Sequence, residues 1–313
     1  MKKILIIKHG ALGDVILSMY AIFSISQYFK GYHISILTES KYEDIFNKLP
    51  FIKDIRIDNR KKIYSFIHYL GLINWFYKES FEWVFDLQTS KRTKLYFLIF
   101  TLFRKCNWNG ISKNCSHPHL NLERKYLHTV ERQKQQLKCA GLHESRKPDW
   151  NLFKKVNKKF KYSKPYVILV PGGSKHRENK RWCYDNFLLI VSHLRKKNIQ
   201  VLFIGGSDEK KILKNYKKKK GVINLIGKTN FTDLAYLSDK ASMIIGNDTG
   251  PMHILVACSN KKTKKIILFG EASDPNLCAP IGENVKIIRK KNINDIKPKL
   301  IIDLINENNY SKL

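Results

Sequence analysis

The chain has 313 residues, 43% hydrophobic and 27% charged, enough for two domains that each bury a core of their own. Its 58 Lys and Arg against 26 Asp and Glu leave a formal charge of +32, a balance that favours anionic partners: nucleic acid, a phospholipid surface, a nucleotide or a phosphorylated glycan. Lys, Ile and Asn are all abundant, as an AT-rich genome would produce, so the charge is weak support by itself. The six cysteines, at 106, 115, 139, 183, 258 and 278, form no C-x-x-C pair and have no histidine at zinc-finger spacing. They read as reduced thiols, against a disulfide frame or a metal site. No apolar run approaches the ~20 residues that span a bilayer. The apolar start after Lys2 and Lys3 is broken by Lys8, His9 and Asp14, which argues against an export signal and for a cytoplasmic protein.

In chain order, Ile4 to Ile7 is a continuous apolar run of the kind buried in a parallel sheet. The loop Lys8-His9-Gly10-Ala11-Leu12-Gly13-Asp14 follows, and then a helical pattern from Val15 to Phe29. The glycine spacing is G-x-x-G and not the dinucleotide fingerprint. Asp14 has two readings: a helix cap or first-turn acid, or a carboxylate held where open α/β sheets bind ligands. Strands are expected at His33–Thr38, Ile52–Ile57 and Trp83–Leu87, with helices over Lys41–Lys48, Ile63–Tyr77 and Leu95–Phe103. The Ile63–Tyr77 segment holds no charged residue and has aromatics all round, so packing on the sheet is preferred to lying on a membrane. The stretch up to His128 reads as mixed loop, and a helix then ends near Gly141.

Residues 142–164 are polar and Lys-rich, with prolines at 148 and 165, and place a domain boundary between residues 160 and 161. Strands are expected again at Tyr166–Val170, Gln200–Ile204, Val222–Ile226, Met243–Ile245, Lys264–Phe269 and Val285–Ile288. Helices are expected over Tyr184–Lys197, from Glu209 to Tyr216, and over Ile293–Asn308 at the C-terminus. Strand and helix alternate in both halves, so each half reads as a doubly wound α/β domain.

The most informative stretch is Gly246-Asn247-Asp248-Thr249-Gly250-Pro251-Met252-His253. A strand that ends in this turn and opens a helix leaves the helix's first N–H groups and its dipole aimed at an anion. Thr249 offers a hydroxyl, and Gly250 lets a phosphate approach the backbone. The plainer alternative is a capped helix, with Asp248 or Thr249 at the N-cap. Two other loops share the strand–loop–helix form: Pro171-Gly172-Gly173-Ser174 and Gly205-Gly206-Ser207-Asp208-Glu209.

Taken together, the sequence resembles glycosyltransferase family 9, the ADP-heptose:lipopolysaccharide heptosyltransferases. The resemblance is carried by Leu12-Gly13-Asp14-Val15, Asp86-Leu87-Gln88, His128-x-Val130-Glu131-Arg132, Lys180-x-Trp182, Gly205-Gly206-x-Asp208-Glu209 and Asn247 to His253. It implies a GT-B fold, with two Rossmann-like domains facing across a cleft: acceptor domain 1–160, nucleotide-sugar domain 161–313. It implies inverting, metal-independent transfer with no cofactor, from a nucleotide sugar such as ADP-heptose to a phosphorylated glycolipid acceptor, and allows peripheral contact with an anionic membrane. By resemblance Asp14 is the general base, and Ser174, Lys180, Glu209, Asp248, Thr249, Gly250 and His253 hold the donor. Arg60, Lys91 and Arg92 are acceptor-side candidates on charge and position. Two departures stand out. Lys175 competes with Lys180 for the diphosphate, and Cys183 follows Trp182 where the family usually has proline. A nucleic-acid-binding protein is the competing reading of the charge, but no nucleic-acid module is recognisable.

Overall fold

Ile4, Leu5, Ile6 and Ile7 are all fully buried, as are the five residues Tyr166 to Val170; runs of this kind are strands covered on both faces. Each opens one half of the protein. The computed structural model describes residues 1–61, 65–102, 104–154, 160, 162–163, 165–173, 178–206, 209 and 220–307. Two compact units emerge, Met1–Asp149 and Trp150–Leu313. The division falls inside the polar connection, earlier than residue 160. Phe153 is fully buried and meets Phe231 edge-on, with ring centroids 4.8 Å apart, so this part of the connection packs with the second unit.

The first unit contains β1 (Lys3–Ile7), α1 (Leu12–Tyr28), β2 (His33–Thr38), α2 (Glu43–Phe46), β3 (Ile52–Ile57), α3 (Phe66–Glu79), β4 (Trp83–Asp86), α4 (Lys91–Thr101), β5 (Asn107–Gly110), β6 (His117–Pro118) and α5 (Thr129–Lys138). The second contains β7 (Tyr166–Val170), α6 (Tyr184–Lys196), β8 (Gln200–Phe203), β9 (Val222–Asn224), α7 (Phe231–Lys240), β10 (Met243–Asn247), α8 (Gly250–Cys258), β11 (Lys264–Phe269), α9 (Pro275–Cys278), β12 (Val285–Arg289) and α10 (Pro298–Asn306).

Both sheets are parallel throughout. Their strand orders are β3-β2-β1-β4-β5-β6 and β12-β11-β10-β7-β8-β9. Each is the doubly wound order in which the winding reverses at one point, between β1 and β4 and between β7 and β10. Ligands of open α/β sheets bind beyond the strand ends at that reversal. The loops after β1, β4, β7 and β10 are therefore the places to look.

Several elements differ from those expected. The segment expected as mixed loop contributes β5 and β6, which are too short and polar to show a strand period; β5 is recognisable only because Trp108 and Asn109 are buried. The helix expected over Lys41–Lys48 is a 3₁₀ turn, Ser40–Tyr42, followed by α2. Helix α4 starts at Lys91, four residues ahead of the apolar run, because Ser90 and Thr93 form a capping box. The expected terminal helix is divided into a 3₁₀ turn at Ile293–Asp295 and α10, which begins at Pro298. Proline fits the first helical turn and not a helix interior. Apart from Glu209, the helix expected up to Tyr216 lies outside the described residues.

Candidate functional site

In the first unit, β1 delivers Lys8 and α1 delivers Asp14 to the carboxyl edge of the sheet. Helix α1 is capped at Ala11 without a side-chain bond, so Asp14 sits in its first turn and is not the cap. Asp14 lines a cavity of about 90 Å³ with Lys8, Leu87, Gln88, Thr89, Arg124, Thr129, Arg132 and Gln133. These come from the loops after β1 and β4 and the start of α5, at the reversal point, together with Arg124 from the 3₁₀ turn Leu122–Tyr126. Gln133 is held in place by donating to the Ser18 hydroxyl, 2.8 Å, while Ser18 donates to the Asp14 carbonyl, 2.6 Å.

Positive charge dominates this cavity. Lys8 is almost wholly buried; burial pushes its ammonium down to about 8, with Asp14 and Asp86 opposing that fall. Arg124 is pushed down to about 10 by burial and by Arg132 beside it. Beneath them Asp86 is pushed up to about 6 by burial, although it accepts from the Thr89 N–H at 2.8 Å and the Gln88 N–H at 3.1 Å. One accessible carboxylate among three cations can accept a hydrogen bond from a hydroxyl while the cations meet negative charge.

The acceptor-side candidates lie apart from this cavity. Arg60 has φ of 54°, and its guanidinium lies 2.9 Å from Glu39. Its N–H donates to Asp58 at 2.8 Å. Burial raises the Asp58 carboxyl, but His9 and Tyr96 beside it outweigh that and hold it well below the usual carboxylate range. Arg92 donates to the Tyr69 hydroxyl at 2.5 Å and to the carbonyls of Lys61 and Arg60 at 2.9 and 3.2 Å, tying α4 to the loop after β3. Lys91 is exposed on the first turn of α4. None of the three lines the Asp14 cavity. Charge and position in the sequence had not singled out Lys8, Arg124 and Arg132 for this place. Arg132 belongs to the His128-x-Val130-Glu131-Arg132 signature, which was the available signal; Arg124 sits in what read as loop.

In the second unit the loop after β7 and the end of β10 converge, and Asn247 is what joins them. At the end of β10 its amide donates to the carbonyls of Pro171 (2.8 Å) and Gly172 (3.1 Å), and its carbonyl accepts from the Trp182 N–H at 3.3 Å. Lys180 is thereby drawn beside α8, where its Nζ lies 2.6 Å from Asp248 Oδ2. Ser273 donates to the same oxygen at 2.7 Å, and His253 Nε2 lies 3.8 Å from Oδ1. Burial raises the Asp248 carboxyl, but His253 and Lys180 outweigh it and pull it down to about 2. Thr249, not Asp248, is the N-cap of α8, and its side chain makes no capping bond. Among the described residues its buried Oγ1 has no partner, and neither has Nδ1 of the buried His253. Buried polar atoms are rarely left so; these two sit at a helix N-terminus, where an anion is favoured.

Glu209 packs against both glycine turns. Its Oε2 accepts from the Gly206 N–H, and a Cβ on Gly172 or Gly205 would come within 2.0 or 2.1 Å of its carboxyl group. The two turns need glycine because this carboxylate fills the space. Cys183, where proline was expected, has φ of −51°, close to proline's angle, and uses its N–H to donate to Asn294 at 2.7 Å. Ser174 and Lys175 lie outside the described residues. Among the described residues no group of three or more His, Cys, Asp or Glu is placed to hold a metal ion.

The model of glycosyltransferase family 9 (heptosyltransferase) matches residues 99–301, well over half of the chain. The chain belongs to this family. It is similar to the lipopolysaccharide heptosyltransferase 3 of Escherichia coli K12, 32% identical over 125 residues, which are 38% of this chain and 35% of that protein. It is also similar to the lipooligosaccharide heptosyltransferase 2 of Haemophilus ducreyi, 26% identical over 133 residues, 41% of this chain and 37% of that protein. The matches thus span less than half the length of these curated relatives. Solved structures match over nearly the whole chain. The E. coli ADP-heptose LPS heptosyltransferase II superposes with a TM-score of 0.76 at 16% identity, covering 98% of both chains. The E. coli heptosyltransferase WaaC with ADP-2-deoxy-2-fluoro heptose gives 0.77 at 17% identity, covering 97% of this chain and 99% of that one. At such identities the likeness carries the fold, which is that of the GT-B class.

Proposed function

We propose that this protein is an inverting glycosyltransferase that moves a heptose from ADP-heptose to a lipopolysaccharide core or similar phosphorylated glycan. The observation that carries the reading is the pair of unpartnered buried atoms, Thr249 Oγ1 and His253 Nδ1, beside Lys180 at the start of α8, in a chain of this family.

The donor's diphosphate would take the N–H groups of the first turn of α8, the Thr249 hydroxyl and the charge of Lys180, with Ser174 as a further hydrogen-bonding partner. Glu209, at the ends of β7 and β8, is suited to accept from ribose hydroxyls. The acceptor hydroxyl would be bound next to Asp14, its anionic group facing Lys8, Arg124 and Arg132. Asp14 takes the hydroxyl proton as that oxygen bonds to the anomeric carbon from the side opposite the diphosphate. The anomeric carbon–oxygen bond to the diphosphate breaks, the configuration inverts, and ADP leaves with its negative charge met by the helix dipole and Lys180. No step in this scheme calls on a metal ion.

The reading is tested by titrating the protein with ADP, GDP and UDP while following thermal unfolding. ADP at one hundred times its dissociation constant should stabilise the fold by about 2.7 kcal/mol. No shift with any of the three at millimolar concentration would overturn it.

A further inference from the structure

The layer of the first unit formed by α3 and α4 has an outer surface apart from the Asp14 cavity. Residues 59–122 contain ten Lys and Arg and three carboxylates, Glu79, Glu82 and Asp86. None of the three offsets charge on the helices' outer side: Asp86 is buried, Glu79 lies 2.7 Å from Lys3, and Glu82 lies 3.3 Å from Lys2. On the first turns of α3, Phe66 is 70% exposed, Ile67 85% and Leu70 46%. Beside them Lys61, Lys91 and Lys94 are exposed. The starts of the two helices are held together by the bonds from Arg92 to Tyr69 and to the Lys61 carbonyl, and lower down by stacking of Phe76 on Phe100 at 4.4 Å. The exposed ridge of α4 continues through Leu98 and Leu102. Both helices follow strands of a parallel sheet, so their first turns share the sheet edge that holds Asp14.

We propose that this face docks on an anionic lipid bilayer, with Phe66, Ile67 and Leu70 entering the headgroup region and Lys61, Lys91 and Lys94 meeting lipid phosphates. Large apolar side chains ringed by lysine, without acids, suit the boundary between acyl chains and anionic headgroups. A second copy is disfavoured, because it would bring the same unbalanced cations to the contact. The five exposed apolar side chains, Leu98 and Leu102 included, are also few for the roughly 800 Å² per partner of a stable protein interface. The inference goes beyond the transfer reaction and stands on this surface alone.

Co-sedimentation of the full chain with vesicles rich in phosphatidylglycerol, and with phosphatidylcholine vesicles, tests it. Binding should be confined to the anionic vesicles. It should weaken about tenfold or more both in Phe66→Ser/Ile67→Ser/Leu70→Gln and in Lys91→Glu/Lys94→Glu. The control Lys261→Glu/Lys262→Glu makes the same charge change at exposed positions of the second unit and should bind as the parent does. All of these positions are exposed, so thermal unfolding should match the parent. Failure to bind anionic vesicles, undiminished binding by both face variants, or equal loss in the control would each overturn the proposal. So would a dimer in sedimentation velocity that the apolar triple variant dissociates, since the face would then be a contact between copies.

Discussion

The ammonium of Lys180 and the carboxylate of Asp248 lie 2.6 Å apart, with only 12% and 7% of the side chains exposed. Sixty-eight residues separate them, and the Asn247 amide brings their loops together. Lys180 is thus fixed beside the N-terminus of α8, where the proposed scheme puts the donor's diphosphate.

Removing the lysine should leave a buried carboxylate without its main cation. Lys180→Ala is expected to lower unfolding stability by about 3 kcal/mol, the low end of the cost of breaking a buried pair from one side. The double variant with Asp248→Asn should recover part of it, as urea unfolding would show. Because the Asp248 carboxyl is pulled down to about 2, the unfolded chain binds its proton first as pH falls. The stability it contributes is full above about pH 4 and is lost as pH falls towards 2. Asp248→Asn should remove that part of the acid transition.

Thr249→Val keeps the shape of the α8 cap and deletes a hydroxyl that has no partner. Stability should hold or rise slightly, since an unsatisfied buried group is removed. Affinity for ADP, measured by calorimetry, should fall by about tenfold or more, the worth of a hydrogen bond to a charged ligand.

Asp14→Asn tests the base. Ala11 caps α1, so the substitution removes no cap; the loss in stability should stay within about 1 kcal/mol, the worth of an acid facing the helix dipole. Turnover should fall roughly a hundred- to ten-thousand-fold, while ADP affinity, which the proposed scheme assigns to the second unit, stays within a few-fold. Near-normal transfer by the folded variant would remove Asp14 from the mechanism.

Lys8 predicts a pH dependence. Burial pushes it down to about 8, so between about pH 8 and 10.5 the unfolded chain carries a proton that the folded chain has lost. Stability should therefore rise with pH across that window as the cost of the buried ammonium is relieved. Over the same window the acceptor loses a cation, and its KM should rise while that of the donor does not. In Lys8→Met both trends should vanish.

The sequence by itself determined the fold class, because continuous buried strands alternating with helices leave a doubly wound parallel sheet as the simplest packing. It also marked the Asn247–His253 turn, since two further loops, Pro171–Ser174 and Gly205–Glu209, share its strand–loop–helix form and polar residues. Local chemistry was enough for both. It could not show that Asn247 ties the loop after β7 to the end of β10, or that Glu209 fills the space over Gly172 and Gly205, because those partners are tens of residues apart and meet only when β7, β8 and β10 lie side by side. Nor could it tell which cations share a cavity with Asp14. Arg60, Lys91 and Arg92 had the charge and nearness to strand ends expected of acceptor contacts, yet Arg60 and Arg92 are engaged by Glu39, Tyr69 and backbone carbonyls, and Lys91 is exposed on α4. Lys8, Arg124 and Arg132 reach the cavity instead. Which side of a strand end or helix start a long cationic side chain takes is decided by sheet order and by the carboxylates and carbonyls it finds there. That is a property of tertiary packing, with no period in the sequence to record it.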